Sequence, residues 1–390
     1  MTILNTEASK RLEQYIKDHK DSKTGEKLPL VFRGERNLFD VFRLPIELLT
    51  YNVNNGRLKV DVLEYKRQEG KEIDPWSVEG KSFLRERLLS QKDTEELISS
   101  LDHEGQVEPG LVTYDGVVIN ANRRMAAISK LDDECESHKP GKHKFLLAAI
   151  LPADVTEEEL YQIEANLQFG FDYKAKYGPM NELLKIQDGI RFNGPKQLSI
   201  ILGKDEKEVR RKLRILALID DYLVKVGCPN QYELIADEET YSHFYELPDL
   251  IDKLQSAGKG DDIVEKYLTI GYTMIREEKG HREVRRLKKM CELPAEMENR
   301  ILELADAENL KKPKNEELGQ RIENRIDEGD AYIKQETKAN APLDIVDDLV
   351  VRVDLLQPKR NAPYRSALLE KLKILGEKVK EKISLLESPG

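Results

Sequence analysis

Residues 105–131 constrain the fold of this 390-residue chain most, because they combine strand, turn and helix signals in one short segment. The runs Leu111–Thr113 and Val117–Ile119 are β-prone. Asp115-Gly116 lies between them and is typical of a two-residue hairpin turn, which requires positive φ angles. The sequence therefore predicts a β-hairpin at this point.

The helix expected after this hairpin begins with two consecutive arginines. Asn120 or Asn122 can cap it, and its apolar residues continue to Leu131. The first N–H groups of a helix have no partner within the helix, so they attract anions, and the guanidinium groups of Arg123 and Arg124 match phosphate oxygens. The alternative is that both arginines are solvated or pair with nearby acids. The segment predicts a phosphate-binding site.

These residues closely resemble the nucleotide-binding motif D-G-x-x-x-x-G-x-R-R-x-x-A of the ParB/sulfiredoxin-like superfamily. The matching positions are occupied by Asp115, Gly116, Arg123, Arg124 and Ala127. The second glycine of the motif falls on Ala121, which would hold the backbone slightly further from a phosphate.

Three other segments resemble the same family in the same order. Leu44–Arg57 resembles its opening strand and Asn-Pro-x-x-x-Arg type loop, residues 94–109 its short helix and G-Q-x-x-P turn, and Ile163–Ile186 its E-N-x-Q-R box with the following helix. The resemblance implies a pocket for a nucleoside triphosphate, CTP or ATP, with Mg²⁺ as a further candidate. The implied nucleotide-binding residues are Asn52, Asn55, Arg57, Gly105, Gln106, Asn122, Arg123, Arg124, Asn166 and Gln168.

The E-N-x-Q-R match is incomplete. When Asn166 and Gln168 are aligned, the family's Glu falls on Ala165 and its Arg on Phe169, while Glu164 lies one residue away, roughly 100° around a helix. Because Mg²⁺ prefers carboxylate oxygens, this departure weakens the expectation of a metal-nucleotide site, and hydrolysis is not expected.

Catalytic residues stay unassigned. Glu104, Glu108 or Glu164 could act as the acid or base of a phosphotransferase, but their spacing selects none of them. Residues 120–123 contain no cysteine, so sulfiredoxin chemistry is not expected.

A helix-turn-helix is predicted after Asn193. Gly203 ends its first helix, and Asp205 followed by Glu208 forms a capping-box pattern at the start of the second. ParB proteins carry such a unit directly after the nucleotide domain, so the resemblance implies DNA binding. The candidate DNA-binding residues are Lys207, Arg210, Arg211 and Arg214. Carboxylates at the tip of the same helix oppose such contact, and plain packing is the alternative.

Composition limits the function further. The formal charge of −10 argues against nonspecific wrapping of nucleic acid by the whole molecule, so any DNA contact must be local. The cysteines Cys135, Cys228 and Cys291 lie too far apart for a disulfide framework or a zinc ribbon, so no metal site is predicted. No run of about 18 apolar residues is present, so we expect no membrane span and a cytoplasmic location.

The expected fold class is α+β. The predicted parts are a helical lead at 1–38, with a polar loop near 21–27; a ParB/sulfiredoxin-like α/β domain at 39–155, with an insertion at 59–93; a helix-turn-helix domain at 156–245; and a helical region at 246–390 with a dimerisation helix at 363–386. The insertion could be a lid, a partner surface or a surface excursion, of which the last is favoured. A flexible joint is predicted to end at Pro342, and the last helix could also dock on its own domain.

The function that these observations favour is a ParB-like DNA-binding protein in which nucleotide binding controls contact with DNA or a partner. Homodimerisation and a protein partner for the C-terminal region are expected with it. The alternatives are a nucleotide-dependent enzyme on the same fold (a phosphotransferase, NTPase or nuclease) and a degenerate scaffold. Partition, transcriptional control and antiviral defence, in a prokaryote, phage or plasmid, all agree with this reading.

Overall fold

The computed structural model of the chain describes residues 5–134, 143–169, 177–356 and 364–387. The expected α+β class is confirmed, because a mixed six-stranded sheet near the N-terminus is followed by a mostly helical region. The chain divides into two compact units, Met1–Ile326 and Asp327–Gly390.

The sheet belongs to the first unit. Its strands are β1 (Lys23–Phe32), β2 (Glu35–Pro45), β3 (Thr50–Tyr51), β4 (Gly110–Val112), β5 (Val117–Asn120) and β6 (Phe145–Ile150), in the spatial order β1-β2-β6-β4-β5-β3. β4 is parallel to β6 and β3 to β5, whereas β1 with β2, β2 with β6 and β4 with β5 are antiparallel. The central strands β4 and β6 are largely covered on both faces, which explains their nearly continuous apolar sequences.

The helices of the described residues are α1 (Thr6–Asp18), α2 (Lys59–Glu69), α3 (Val78–Leu89), α4 (Thr94–Glu104), α5 (Asn122–Glu134), α6 (Glu157–Phe169), α7 (Pro179–Ile190), α8 (Pro195–Leu202), α9 (Glu206–Lys225), α10 (Glu238–Ser256), α11 (Asp261–Arg276), α12 (His281–Met290), α13 (Ala295–Leu302), α14 (Ala307–Leu310), α15 (Glu316–Asp354) and α16 (Arg365–Glu387). One face of the sheet packs against α1, α3, α4 and α5, and α6 covers the other face.

The predicted hairpin and its helix are confirmed as β4, β5 and α5, but the turn differs from the prediction. Gly116 has a φ of +88°, whereas Asp115 is not in the left-handed region. The N–H of Gly116 donates to the carbonyl of Thr113 (2.9 Å), and the N–H of Thr113 donates to the carbonyl of Val117 (2.9 Å). The loop therefore has three residues, and only its glycine needs the positive φ.

The N-terminal prediction was wrong after residue 22. α1 is helical as expected, but the segment read as a polar loop and helical lead forms β1 and the start of β2. β1 is an edge strand in which Leu30 and Phe32 are buried while two lysines and one glutamate face solvent. Because its charged residues and Pro29 dilute the alternating pattern, the strand signal was weak.

The insertion at 59–93 is not a surface excursion. It forms α2 and α3, and Leu84 and Leu88 of α3 are fully buried in the main apolar core together with Tyr65 of α2. Burying a leucine side chain contributes about 2 kcal/mol, so these helices stabilise the domain. The prediction failed because neither helix has a clear apolar stripe in sequence.

The helix-turn-helix prediction is confirmed as α8 and α9, with Gly203 in the left-handed conformation between them (φ +62°). Asp205 caps α9 by accepting from the N–H of Lys207 (2.6 Å). The predicted capping box is incomplete, because the carboxylate of Glu208 pairs with Lys204 (2.9 Å) and Lys212 (3.2 Å) instead.

The helical region predicted at 246–390 is confirmed in its described residues, although α10 begins before residue 246 and contains Pro248. The flexible joint at Pro342 was wrong, because α15 continues through this proline. Within the second unit, α16 covers the expected last helix, whose predicted start at 363 lies outside the described residues, as does Cys135. Val379 and Ile383, on its apolar stripe, are 45% and 47% exposed.

Candidate phosphate-binding site

A cavity of about 470 Å³ lies where α5 begins. It brings together six of the predicted nucleotide-binding residues with several others. The predicted ones are Asn55, Arg57, Asn122, Arg123, Arg124 and Gln168, and the others are Asp93, Glu96, Leu97, Glu108, Ile119, Asn120, Ala121, Glu164, Leu167 and Tyr177. Three guanidinium groups therefore share one cavity, although Arg57 is distant in sequence from the other two.

The three arginines are partly buried. Burial lowers the pKa of Arg57, and the nearby guanidinium of Arg123 lowers it as well. Burial also lowers the pKa of Arg123 and that of Arg124. All three still carry their charge at neutral pH, and they share the cavity with the carboxylates of Asp93, Glu96, Glu108 and Glu164.

The contacts of these arginines with the protein differ. Arg123 donates from Nη2 to the carbonyl of Lys92 (3.0 Å), but its buried Nε has no hydrogen-bond partner in the described part of the chain. Arg124 donates to the carbonyl of Glu108 and lies 3.8 Å from its carboxylate. The guanidinium of Arg57 lies 5.5 Å from the ring centroid of Tyr177.

The start of α5 combines a residue in the left-handed backbone conformation with a side-chain amide that bonds to nearby backbone groups. Ala121 has a φ of +85°, which favours glycine and agrees with the glycine of the family motif at this position. The amide of Asn122 accepts from the N–H of Asn52 (3.0 Å) and donates to the carbonyl of Val118 (2.6 Å). Asn120 accepts from the N–H of Ala121, so both candidate capping amides are used in other contacts.

Glu164, which the family alignment left out of register, has a central position in the cavity wall. Its Oε1 accepts from the N–H of Gly56 (2.9 Å) and from the hydroxyl of Tyr177 (3.2 Å), and its Oε2 accepts from Lys185 Nζ (2.6 Å). Glu164 and Lys185 are both buried. The carboxylate thereby fixes the loop that carries Arg57, and both of its oxygens are engaged.

Sequence reasoning offered Glu164 only as one of three unassigned acids, and it missed Tyr177 as part of the site. The signal for Glu164 was present, because it lies four residues after Leu160 and three before Leu167, on the apolar face of α6. Ala165, which the alignment preferred, is fully buried. Tyr177 belongs to no motif that we recognised.

Four predicted nucleotide-binding residues do not line this cavity. Gln106 donates to the carbonyl of Leu147 (2.7 Å) and accepts from its N–H (2.8 Å), which extends the sheet, and Gly105 ends α4. Asn166 lies on the exposed side of α6. The backbone N–H of Asn52 donates to the side-chain amide of Asn122, and Asn52 lines a neighbouring cavity.

The residues present give little support for a protein-bound metal ion. Asp93, Glu96 and Glu108 line the cavity, but no group of three His, Cys, Asp or Glu side chains suitable for a metal occurs among the described residues. A magnesium ion would therefore depend mainly on phosphate oxygens and water for its ligands.

The four candidate DNA-binding residues lie on α9, where the structure gives them different surroundings. Arg211 pairs with Asp249 of α10 and donates to the carbonyl of Tyr245 (2.7 Å). Arg214 makes two hydrogen bonds to the carboxylate of Asp252 (2.7 and 3.1 Å). Arg210 is exposed and pairs with Glu206 (2.6 Å).

Lys207 is exposed as well. DNA contact by α9 stays a prediction, and Arg211 and Arg214 would have to leave α10 to take part in it.

Comparison of this chain with models of protein families, with curated proteins and with solved structures found no match. The ParB/sulfiredoxin-like resemblance thus rests on the motif residues alone. Within the described ranges, every helix is either too short or too polar to cross a lipid bilayer.

Proposed function

We propose that this chain binds a nucleoside triphosphate, with its phosphates against Arg57, Arg123 and Arg124 at the start of α5. The observation that carries the proposal is the convergence of three desolvated guanidinium groups in one cavity. Charges that are removed from water require compensation, and a polyphosphate supplies it together with acceptors for unpaired N–H groups such as Arg123 Nε.

We further propose that binding acts as a switch without turnover. In sequence, Glu164 is the carboxylate nearest to the position of the Glu in the family's E-N-x-Q-R box. Its oxygens, however, already accept hydrogen bonds from Gly56, Tyr177 and Lys185. It would have to break a buried ion pair to hold magnesium or accept a proton. A ParB-like fold and mechanism are parts of the same proposal, and an enzyme of the same superfamily is the alternative.

A path for such a switch runs from the cavity to the helix-turn-helix. Glu164 joins the loop before Arg57 to Lys185 of α7. On the same helix, Glu182 forms ion pairs with Lys204 (3.3 Å) and Lys212 (2.6 Å), which lie in the turn and in α9. A ligand that moves Arg57 would therefore bias the position of α9 and alter contact with DNA or a partner.

The decisive experiment is titration calorimetry with CTP, ATP and GTP, each with and without Mg²⁺, together with chromatographic analysis of turnover. We expect binding without hydrolysis, and we expect Arg123→Ala to weaken it at least tenfold because a charge-assisted phosphate contact is lost. Arg210→Ala is the matched control, since this exposed arginine lies outside the cavity. Unchanged affinity of Arg123→Ala would show that the phosphates bind elsewhere, and turnover would favour the enzyme.

The DNA part of the proposal has a separate test. Lys207 and Arg210 are exposed, whereas Arg211 and Arg214 form ion pairs with α10, so we propose that Lys207 and Arg210 contact phosphates. Gel shifts with a duplex of mixed sequence over a salt series should show a slope smaller by about two in the double alanine variant. Equal slopes would remove α9 as the DNA-binding element.

We also propose that α16 joins two copies of the chain. Its apolar stripe is solvent-exposed at Val379, Ile383 and Leu386 in the second unit, and two helices with such stripes bury them together in a coiled coil. Sedimentation velocity should give a dimer for the wild type and a monomer for Ile383→Glu. Lys380→Glu, an exposed position on the same helix, is the control.

A further inference from the structure

A second cavity of about 360 Å³ adjoins the phosphate-binding cavity. Ile119 and Glu164 line both. The two oxygens of Glu164 face different sides, since Oε1 contacts Tyr177 of the first cavity and Oε2 contacts Lys185 of the second. The side chain of Glu164 therefore lies between the two cavities. A ligand at the rim of one cavity lies next to the other cavity.

The charges of the second cavity compensate one another. Lys185 pairs with Glu164 (2.6 Å), and Lys59 pairs with Asp188. Glu157 and Arg191, which are exposed at the edge of the cavity, carry opposite charges. This cavity therefore has no need of an anion, and its polar groups suit a neutral ligand.

Its remaining surface combines apolar rings with amides. Tyr161 and Phe192 are 5.9 Å apart between ring centroids and inclined by 43°, and Leu160 and Ile119 line the cavity with them. Phe192 is 38% exposed, so part of its ring is accessible. An accessible ring face is what a planar heterocycle stacks on.

The amides come from the loop that follows β3. Asn52 and Asn54 line the cavity, and the N–H of Asn54 donates to Asn52 Oδ1 (2.9 Å), which leaves the Asn52 amide N–H groups and the Asn54 side chain for other partners. Amides both donate and accept hydrogen bonds, as the edge of a nucleobase or a ribose requires.

We propose that the second cavity holds the nucleoside part of the ligand, with Phe192 against the base and Asn52 and Asn54 as its hydrogen-bonding groups. This inference rests on the proposed function, because it assumes phosphates at Arg57, Arg123 and Arg124. It makes the ligand a nucleotide, recognised at both ends, rather than inorganic polyphosphate or another phosphorylated small molecule.

The test compares ATP, CTP, GTP and UTP with inorganic tripolyphosphate in calorimetric titrations of the full chain. We expect at least one nucleotide to bind tenfold or more tightly than tripolyphosphate. Phe192→Leu keeps apolar volume but removes the ring, and it should lower the affinity for that nucleotide about tenfold, since stacking on an aromatic ring contributes about 1–3 kcal/mol per base.

Asn54→Ala is a second variant that preserves the fold, because Asn54 is exposed and its hydrogen bond to Asn52 uses the backbone N–H. It should weaken the nucleotide severalfold. Both variants should bind tripolyphosphate as the wild type does, whereas Arg123→Ala should weaken both ligands. Val31→Ala, an exposed apolar position on β1, is the control.

The outcomes separate this inference from the proposed function. If the wild type binds tripolyphosphate as tightly as every nucleotide, or if Phe192→Leu and Asn54→Ala keep full nucleotide affinity while Arg123→Ala loses it, the base site is wrong and the phosphate site stands. If no ligand binds the wild type, the phosphate site itself is wrong and the base site with it.

Discussion

α5 and α9 both carry an Arg-Arg pair near their starts, yet the two pairs have opposite surroundings. Arg123 and Arg124 lie in a cavity where burial lowers the pKa of both. On α9, Arg210 pairs with Glu206, and the hydrogen bond to Asp249 raises the pKa of Arg211. The same dipeptide therefore serves as a candidate ligand site in one helix and as a packing contact in the other.

The difference shows which arginines the fold itself uses. The ion pairs of Arg211 with Asp249 and of Arg214 with Asp252 join α9 to α10, so carboxylates of the protein balance both charges. Arg123 forms no ion pair among the described residues and donates from Nη2 to the carbonyl of Lys92, whereas the buried Nε atoms of Arg123 and Arg211 both have no hydrogen-bond partner there. Positions that oppose stability in the absence of ligand are where binding function is expected.

The largest effect should come from Glu164, where burial and ion pairing coincide. Glu164→Gln leaves the ammonium of Lys185 buried without its carboxylate, so the free energy of unfolding should fall by about 3–5 kcal/mol. Urea denaturation measures this. Glu157→Gln, an exposed position on the same helix, should stay within about 0.5 kcal/mol of the wild type. A loss below about 1 kcal/mol for Glu164→Gln would show that this pair does not hold the cavity wall.

When no ligand is present, replacing one arginine of each Arg-Arg pair should change the free energy of unfolding by different amounts. Arg211→Ala removes an ion pair, a hydrogen bond and a stacking contact 4.5 Å from the Tyr245 ring centroid, so it should lower the free energy of unfolding by about 1–2 kcal/mol. Arg123→Ala removes a desolvated cation with few partners, so it should change this free energy by less than about 0.5 kcal/mol.

Urea denaturation of both variants in nucleotide-free buffer decides this point. Equal losses would mean that the fold depends on both pairs alike, and the comparison between α5 and α9 would be wrong.

The first residues of α9 and α5 also differ, and here we expect a smaller effect on the free energy of unfolding. α9 begins with a side-chain cap from Asp205, whereas α5 begins after Ala121 in the left-handed region. Asp205→Ala should therefore reduce the free energy of unfolding by about 1 kcal/mol. Lys207→Ala, two residues further on and exposed, should change it by less than about 0.5 kcal/mol in the same thermal or urea measurement. A loss as large for Lys207 would contradict the assignment of the cap.

Much of the fold could be predicted from the sequence where local signals agreed. The hairpin before α5 and the turn at Gly203 each combine a turn glycine with an apolar pattern that continues on both sides. β1 and the helices of the 59–93 insertion were missed or misjudged because tertiary packing, rather than periodicity, determines them. Leu84 and Leu88 are buried by α5 and the sheet, which no local window contains.

The site could be predicted only in part, for a similar reason. The resemblance located Arg57, Arg123 and Arg124, but it did not include Tyr177, which reaches the loop at Gly56 so closely that an added Cβ would lie 2.5 Å from its ring. The opposite error concerned Gln106, whose amide pairs with the backbone of Leu147 on a neighbouring strand. A sequence motif specifies residue types. Burial and hydrogen-bond partners then determine whether each residue can bind a ligand or bonds within the protein instead.

The smallest expected effect is a pH dependence confined to α9 and α10. Hydrogen bonds from Arg211 and Arg214 lower the pKa of Asp249 and Asp252 below the ordinary value near 3.8. Carboxylates with a lowered pKa stabilise the fold above about pH 4, and this contribution is lost as the pH falls through the folded-state pKa. The arginines around α5 stay charged throughout this range, so acid leaves them unchanged.

Asp252→Asn isolates this effect from that of other carboxylates. The difference in the free energy of unfolding between wild type and variant should be small at pH 6, because Asp252 is half exposed and solvent screens the pair, and it should shrink as the pH falls below about 4. Urea denaturation across this range measures it. A difference that stays constant with pH would mean that the charge of Asp252 does not contribute, and that α9 is joined to α10 by its apolar contacts, by Arg211 and by the hydrogen bond from Arg214 to the carbonyl of Pro248.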